Sequence, residues 1–302
     1  MDFIVTIVCG FGVICAMVTI YLNAKFVLQI VMKKSKRVEE MTLFYYRFVL
    51  DICYGLILLL YIVFVLLSIR YPDFMDPFRP LIIYMALPWS NTGATRSIIA
   101  VFIAMERVLI VFSPVKYQLI RPRFPNWLIL LIAITFGLTE WPVLFTFCDY
   151  EMYIPPACRV FGCAINRCFY DYWTGHKTII FSAITTLSLF LSVKLFLWNS
   201  FKQSHQKLSR ANRLALLDTL LVVIFDFMPA FLGYEFPTLP IFNFTLVGPY
   251  IPISKVMGCA IEAVVTCAIL FPKGKTSVMF PKKSSSWWHS RSTTEGKKSI
   301  RG

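Results

Sequence analysis

The chain has 302 residues, of which 58% are hydrophobic and 15% charged, with a formal charge of +14; an ordinary soluble domain has roughly 45 to 50% apolar and 25% charged residues. The composition argues against a soluble fold, and the length leaves room for seven bilayer-spanning helices of about 20 residues each, with loops and a tail besides. Nine cysteines and three histidines are little material for a metal enzyme. The start, Met1-Asp2-Phe3, lacks the basic stretch of a cleavable signal, so the first apolar segment is expected to remain as a helix.

In chain order, apolar stretches of spanning length occupy residues 4–32, 41–69, 81–112, 127–147, 178–198, 214–233 and 247–271. They are separated by charge and proline, as in Lys33-Lys34-Ser35-Lys36-Arg37, Tyr71-Pro72-Asp73 and Arg121-Pro122-Arg123-Phe124-Pro125. Every backbone amide in a bilayer needs an internal partner, so continuous apolar runs of this length read as helices and not as barrel strands. The expected fold is an all-α, multi-pass membrane protein. A seven-transmembrane helix bundle fills residues 1–271, and a basic, Ser/Thr-rich cytoplasmic tail follows over 272–302.

Orientation follows from the Lys and Arg count by side. Connections 33–40, 107–126 and 199–213 carry four each and the tail eight, against five in connections 70–80, 148–177 and 234–246 together. The excess places the tail in the cytoplasm and the N-terminus outside. Asn243-Phe244-Thr245, a glycosylation triplet, then falls on the outer side. Because the basic residues are spread over short loops and a tail facing anionic lipid, no nucleic acid is expected as a partner; membrane lipids are.

At the inner end of the third stretch stand Glu106 and Arg107, followed by Pro114 and Tyr117. An acid beside an arginine holds the guanidinium at the membrane edge, from where it can switch to another partner when helices part. The plain alternative is an ion pair snorkelling at a helix end. The run resembles the acid-Arg-aromatic motif of rhodopsin-like G-protein-coupled receptors, with Val108 in the place of the aromatic. The resemblance implies a G-protein surface built from Glu106, Arg107, Pro114, Tyr117 and Arg213.

Charges at bilayer depth need partners or water, which singles out Arg47, Asp51, Arg96, Asp226, Lys255 and Glu262 as an intramembrane polar network. Asp51 and Arg96 both fall roughly 15 Å from the inner edge at 1.5 Å per residue. Two arrangements remain open: Arg96 with Asp51, or Arg47 with Asp51 and Arg96 with Glu262 or Asp226. In rhodopsin-like receptors the acid matching Asp51 helps hold sodium, so the first arrangement implies insensitivity to sodium. Phe225-Asp226-Phe227-Met228-Pro229 resembles that family's sixth-helix kink, with Phe227 where a tryptophan usually stands. The seventh stretch lacks the Asn-Pro-aromatic signature. Lys255 invites comparison with a retinal lysine but has no evident counter-ion, so no chromophore or other cofactor is expected.

Cys148, Cys158, Cys163 and Cys168 lie close together in the second outer connection and allow three pairings. Two disulfides within this loop are expected in preference to a zinc site, since no histidine neighbours them. Tyr46-Arg47-Phe48 with Asp51 and Tyr54-Gly55, the four-cysteine loop, and Ala211-Asn212-Arg213-Leu214 through Asp218 to Pro229 together resemble nematode serpentine chemoreceptors close to class BC. That resemblance implies a sensory receptor for small environmental molecules, in the plasma membrane of sensory neuron cilia, coupled to a heterotrimeric G protein.

A small-molecule site in a bundle lies between helices in the outer half. Candidates are Trp89, Ser90, Gly93, Phe181, Thr185, Phe227, Phe231, Tyr234 and Tyr250. Amine receptors carry an acid where Trp89 stands, which points to a weakly polar or volatile ligand and leaves acidic ligands open through Arg96 or Lys255. Ser284–Ser286 and Ser292–Thr294 in the tail are sites for phosphorylation that would recruit a receptor kinase or arrestin; held by its lysines, the same tail would lie on lipid. The rival reading is a ligand-gated cation channel of opposite topology, as in insect odorant receptors. An enzyme is not expected, because His176, His205 and His289 fall in separate connections.

Overall fold

The computed structural model describes residues 2–32, 42–155, 158–201, 210–236, 239–242 and 244–270. The first inner connection, the tail and Asn243 lie outside them. Seven long helices form the bundle: α1 (Asp2–Met32), α2 (Thr42–Arg70), α3 (Leu81–Phe112), α4 (Asn126–Phe147), α5 (Arg167–Phe201), α6 (Arg210–Val222, continuing through Val223–Phe227 to Met228–Glu235) and α7 (Tyr250–Leu270). Six of the seven are long and apolar enough to cross a bilayer. The exception is α3, which is central: it packs against α2, α4, α5 and α6, while α1 closes the ring between α2 and α7.

The polarity of α3 follows from that position. Ser90, Asn91, Thr95, Arg96 and Ser97 are all buried inside the bundle and away from lipid. Thr92, Thr95 and Ser97 donate to the carbonyls of Pro88, Asn91 and Gly93, each four residues back, so their hydroxyls are satisfied within the helix. Two apolar clusters bracket the polar middle. The outer one joins Tyr61, Trp89, Phe161 and Trp173, and the inner one joins Phe26, Phe44, Phe48, Ile103 and Ile129.

One boundary differs from the sequence reading. The apolar run begins at residue 178, yet α5 starts at Arg167. Asn166 is the reason: its Oδ1 accepts from Phe169 N at 3.0 Å, an N-cap contact, and its Nδ2 donates to Cys148 O at 2.8 Å. Phe169 and Trp173 are buried, so three further turns are helical although Arg167, Asp171, His176 and Lys177 dilute their hydropathy. His176 and Lys177 thereby move from a loop into the bundle.

Proline marks the two irregular spans. Pro142 precedes a π turn at Val143–Phe147 in α4, and Pro229 follows a π turn at Val223–Phe227 in α6. The wider turn accommodates the missing N–H and the ring, and it re-aims the side chains it contains, Asp226 among them. Gly248 adopts φ +82° between the short helix Phe244–Val247 and α7, with Val5 where a side chain would project.

α3 and α4 cross closely at Gly137. A Cβ on Gly137 would stand 2.6 Å from Asn91 O. Gly137→Ala is therefore expected to lower the melting temperature of the purified protein, at a cost of about 1–3 kcal/mol from overpacking. Gly10→Ala, where a Cβ meets nothing within 4 Å, should leave it unchanged or slightly raised, and an equal loss at both positions would refute the crossing as drawn.

Candidate functional site

At mid-depth, Arg47 of α2 is fully buried and donates to Asp218 of α6 and to Glu262 Oε2 of α7, the latter at 2.9 Å. Arg96 of α3 donates from Nε to Asp51 Oδ1 at 2.5 Å and from a terminal nitrogen to the same Glu262 Oε2 at 2.9 Å; Asp226 Oδ2 lies 3.6 Å away. Lys255 Nζ is 3.2 Å from Asp226 Oδ2 and 3.4 Å from Gly93 O. One network thus joins α2, α3, α6 and α7. Of the arrangements open from sequence, the geometry has Arg96 on Asp51, with Arg47 taken by Asp218. Asp218 was not singled out as a network residue; its place two turns before Asp226 on α6 is the signal that could have marked it. Asp226 is the counter-ion of Lys255, on a neighbouring helix where depth alone does not reveal it.

Above the network a narrow cleft opens between α3, α5, α6 and α7, lined by Trp89, Ser90, Gly93, Lys177, Phe181, Asp226, Ala230, Ile251, Pro252 and Lys255. As it stands it has room for little more than one water molecule. Gly93 lets the Lys255 chain lie across α3, since a Cβ there would be 3.2 Å from Nζ. Beside the cleft, Trp173 Nε1 donates to Ser90 Oγ at 2.7 Å. Glu140 is fully buried next to it. With the Asn91 amide nitrogen turned to α4, Asn91 donates to Glu140 Oε2 at 3.1 Å and its oxygen accepts from Trp141 Nε1 at 2.7 Å.

Of the nine candidates, Trp89, Ser90, Gly93 and Phe181 line this cleft, and the other five lie off it. Phe227 sits 6.0 Å from Phe181 and 5.3 Å from Phe231, forming an aromatic run along α5 and α6. Tyr234 stacks on Tyr170 and Tyr250 on Phe244 nearer the outer rim. Thr185 is exposed, because the inward stripe of α5 runs through Ile180, Phe181, Ile184, Ser188 and Leu191. The apolar pattern does not mark Lys177, which precedes the hydrophobic run of α5, or Glu140, which stands alone beside Pro142 in an apolar run.

The outer rim is closed by the second connection. Cys148 pairs with Cys168 and Cys158 with Cys163, so the four cysteines are disulfides and not a zinc site. The smaller loop inserts Phe161 among Trp89, Phe169 and Trp173, with ring centroids 5.8 to 6.3 Å apart, and Phe161 N donates to Tyr61 Oη at 2.9 Å. The remaining cysteines lie in spans; Cys9, Cys15 and Cys259 are buried packing residues, whereas Cys53 faces outward.

At the opposite end, Glu106 accepts from Tyr117 Oη and from Arg121 Nε, both at 2.9 Å, and stands 3.8 Å from Arg107. Pro114 opens the short helix Pro114–Ile120 that carries Tyr117. Burial and then the bond to Glu106 push the Tyr117 hydroxyl up to about 12, so it stays a donor at neutral pH. Arg121 also donates to Asn126 Oδ1 at the start of α4. Arg107 is buried, with its guanidinium 5.9 Å from the Phe44 ring of α2. Arg213 lies in the first turns of α6, its side chain outside the described part of the structure.

The sequence model of Srbc, a family of serpentine type 7TM GPCR chemoreceptors, matches residues 1–274. The chain belongs to that family, which is one of receptors and not of enzymes. No curated protein matches it.

The network makes a test of its own. Removing one member of a buried ion pair strands the others and costs about 3–5 kcal/mol. Arg96→Met is expected to lower the yield of folded protein and to create a response to sodium, read as a melting temperature higher in sodium than in N-methylglucamine. The unsubstituted protein should melt alike in both, and sodium stabilisation of that protein would refute Arg96 as the occupant beside Asp51.

Proposed function

We propose that this Srbc receptor binds a small environmental molecule in the cleft between α3, α5, α6 and α7 and activates a heterotrimeric G protein from the opposite end. The observation that carries the reading is continuity: Asp226 and Lys255 line the cleft and also belong to the charged network. A ligand that displaces either one acts on Arg96, and through Glu262 on Arg47 and Asp218. Asp226 sits in the π turn before Pro229, where α6 has a ready site to bend.

On this reading the contacts of Glu106 with Tyr117 and Arg121 form a latch that keeps Arg107 folded back against Phe44. Swinging α6 outward would free the guanidinium for a partner carbonyl or carboxylate. The Lys and Arg count supports an N-terminus outside and a cytoplasmic tail over 272–302, separate from the helical domain of 1–271, where kinase, arrestin or anionic lipid would act. Membership of the Srbc family supports the plasma membrane, in sensory cilia, as the location, and the charge count puts Asn243 on the outer side for glycosylation.

Three measurements check this. Arg107→Ala should abolish G-protein nucleotide exchange with surface expression unchanged. Arg121→Ala removes a charge-assisted contact worth about 1.5–3 kcal/mol, so basal exchange without ligand should rise roughly tenfold or more; unchanged basal exchange would sink the latch. A C-terminal epitope should stain only after permeabilisation, and a tag seen on intact cells would invert the topology.

A further inference from the structure

Two hydrogen-bond donors at the cleft have no acceptor. Trp89 is 3% exposed, and its Nε1 is buried without a partner. The Lys177 ammonium lies 3.2 Å above the centre of the Trp173 ring, and no carboxylate among the described residues is within 4.0 Å of it. The ring face attracts a cation but supplies no acceptor lone pair.

The nearby acids lie beyond 4.0 Å of Lys177 Nζ, although Glu140 Oε1 has no hydrogen-bond partner of its own. Asp226 serves Lys255 and Arg96. Glu140 accepts from Asn91, and its other oxygen faces His176 Nε2 at 3.7 Å. His176 cannot supply the missing negative charge, because an imidazole is either neutral or positive; its Nδ1 lies 3.0 Å from the Tyr172 carbonyl. The cleft therefore presents two lysine amines, one of them with no carboxylate of the described residues within 4.0 Å, beside a free indole N–H. Asp226, Ser90 and Gly93 also line it, and its other walls are apolar: Phe181, Ala230, Ile251 and Pro252.

We infer that the ligand is a small molecule bearing a carboxylate, one oxygen accepting from Lys177 Nζ and the other from Trp89 Nε1, with its short apolar part against Phe181 and Ile251. This rests on the cleft being the ligand site. A planar two-oxygen head can serve two donors at once, and the cramped space favours a short chain. A protonated amine would meet two like charges there and leave both donors unanswered.

The test uses the purified full-length receptor and follows its melting temperature with acetate, butyrate and hexanoate against the matched amides, and with sodium chloride at the same concentrations. The expected result is a saturable rise with the acids, at concentrations at least about tenfold below those the amides need. Lys177→Met should erase the preference for acid over amide, and Lys177→Arg should keep it, which separates loss of charge from loss of fold. Amides as effective as acids, no stabilisation by any acid, or full stabilisation by chloride alone would each overturn the carboxylate assignment. Signalling is read apart, in cells with Arg107→Ala as control. An acid that stabilises through Lys177 but evokes no Arg107-dependent response would leave the binding site standing and sink the ligand-activated receptor reading.

Discussion

A single carboxylate oxygen, Glu262 Oε2, accepts hydrogen bonds from Arg47 and Arg96 at 2.9 Å each. The two guanidiniums come from different helices and would repel one another in an apolar interior without a negative charge between them. Glu262 supplies that charge from α7, and Asp218, Asp51 and Asp226 complete the surroundings from α6 and α2. Four helices are thereby fixed in depth and rotation. A rotation of α7 by one residue, about 100°, would carry Glu262 out of reach of both arginines.

Such a network is weak as a source of net stability, since desolvating the charges offsets much of their attraction. Its consequence is specificity of arrangement. Apolar faces slide over one another at little cost, whereas a bidentate guanidinium tolerates few geometries. The clusters around Trp89 and around Phe44 supply the close-packed mass on either side of the network, and the network sets how the two are aligned. The rim above is held by different means. Two disulfide-closed loops, one inside the other, fix Phe161 in its aromatic box.

The bundle was largely legible in the sequence because lipid imposes a one-dimensional rule, a run of apolar residues of sufficient length. That rule failed where helix and bilayer do not coincide. The first three turns of α5 contain Arg167, Asp171, His176 and Lys177, and only the cap at Asn166 and the buried faces of Phe169 and Trp173 show that they are helical. Depth along the chain likewise brings Arg96 and Asp51 to one level but says nothing of azimuth. Azimuth decides that Asp218 reaches Arg47 and that Thr185 turns outward while Phe181, one turn earlier, faces the cleft. The π turn before Pro229 shifts azimuth within α6 in a way that no regular 3.6-residue count reproduces.

The same irregularity bears on how a signal would cross the protein on the proposed reading. A uniform helix transmits a push at one end as a rigid rod, and rigid displacement of α6 would break the contacts of Asp226 and Asp218 together. With Asp226 inside the π turn and Asp218 in the regular helix before it, movement of the outer half can shift Asp226 against Lys255 and Arg96 while Asp218 still holds Arg47. Occupation of the cleft then changes the sharing of Arg96 among Asp51, Asp226 and Glu262 before it disturbs the inner cluster. Arg96 has three acceptors from three helices within 3.6 Å, so it can redistribute its bonds without any carboxylate being wholly abandoned. A guanidinium surrounded in this way resists removal and permits rearrangement, which is the property required of the pivot between an outer site and an inner surface.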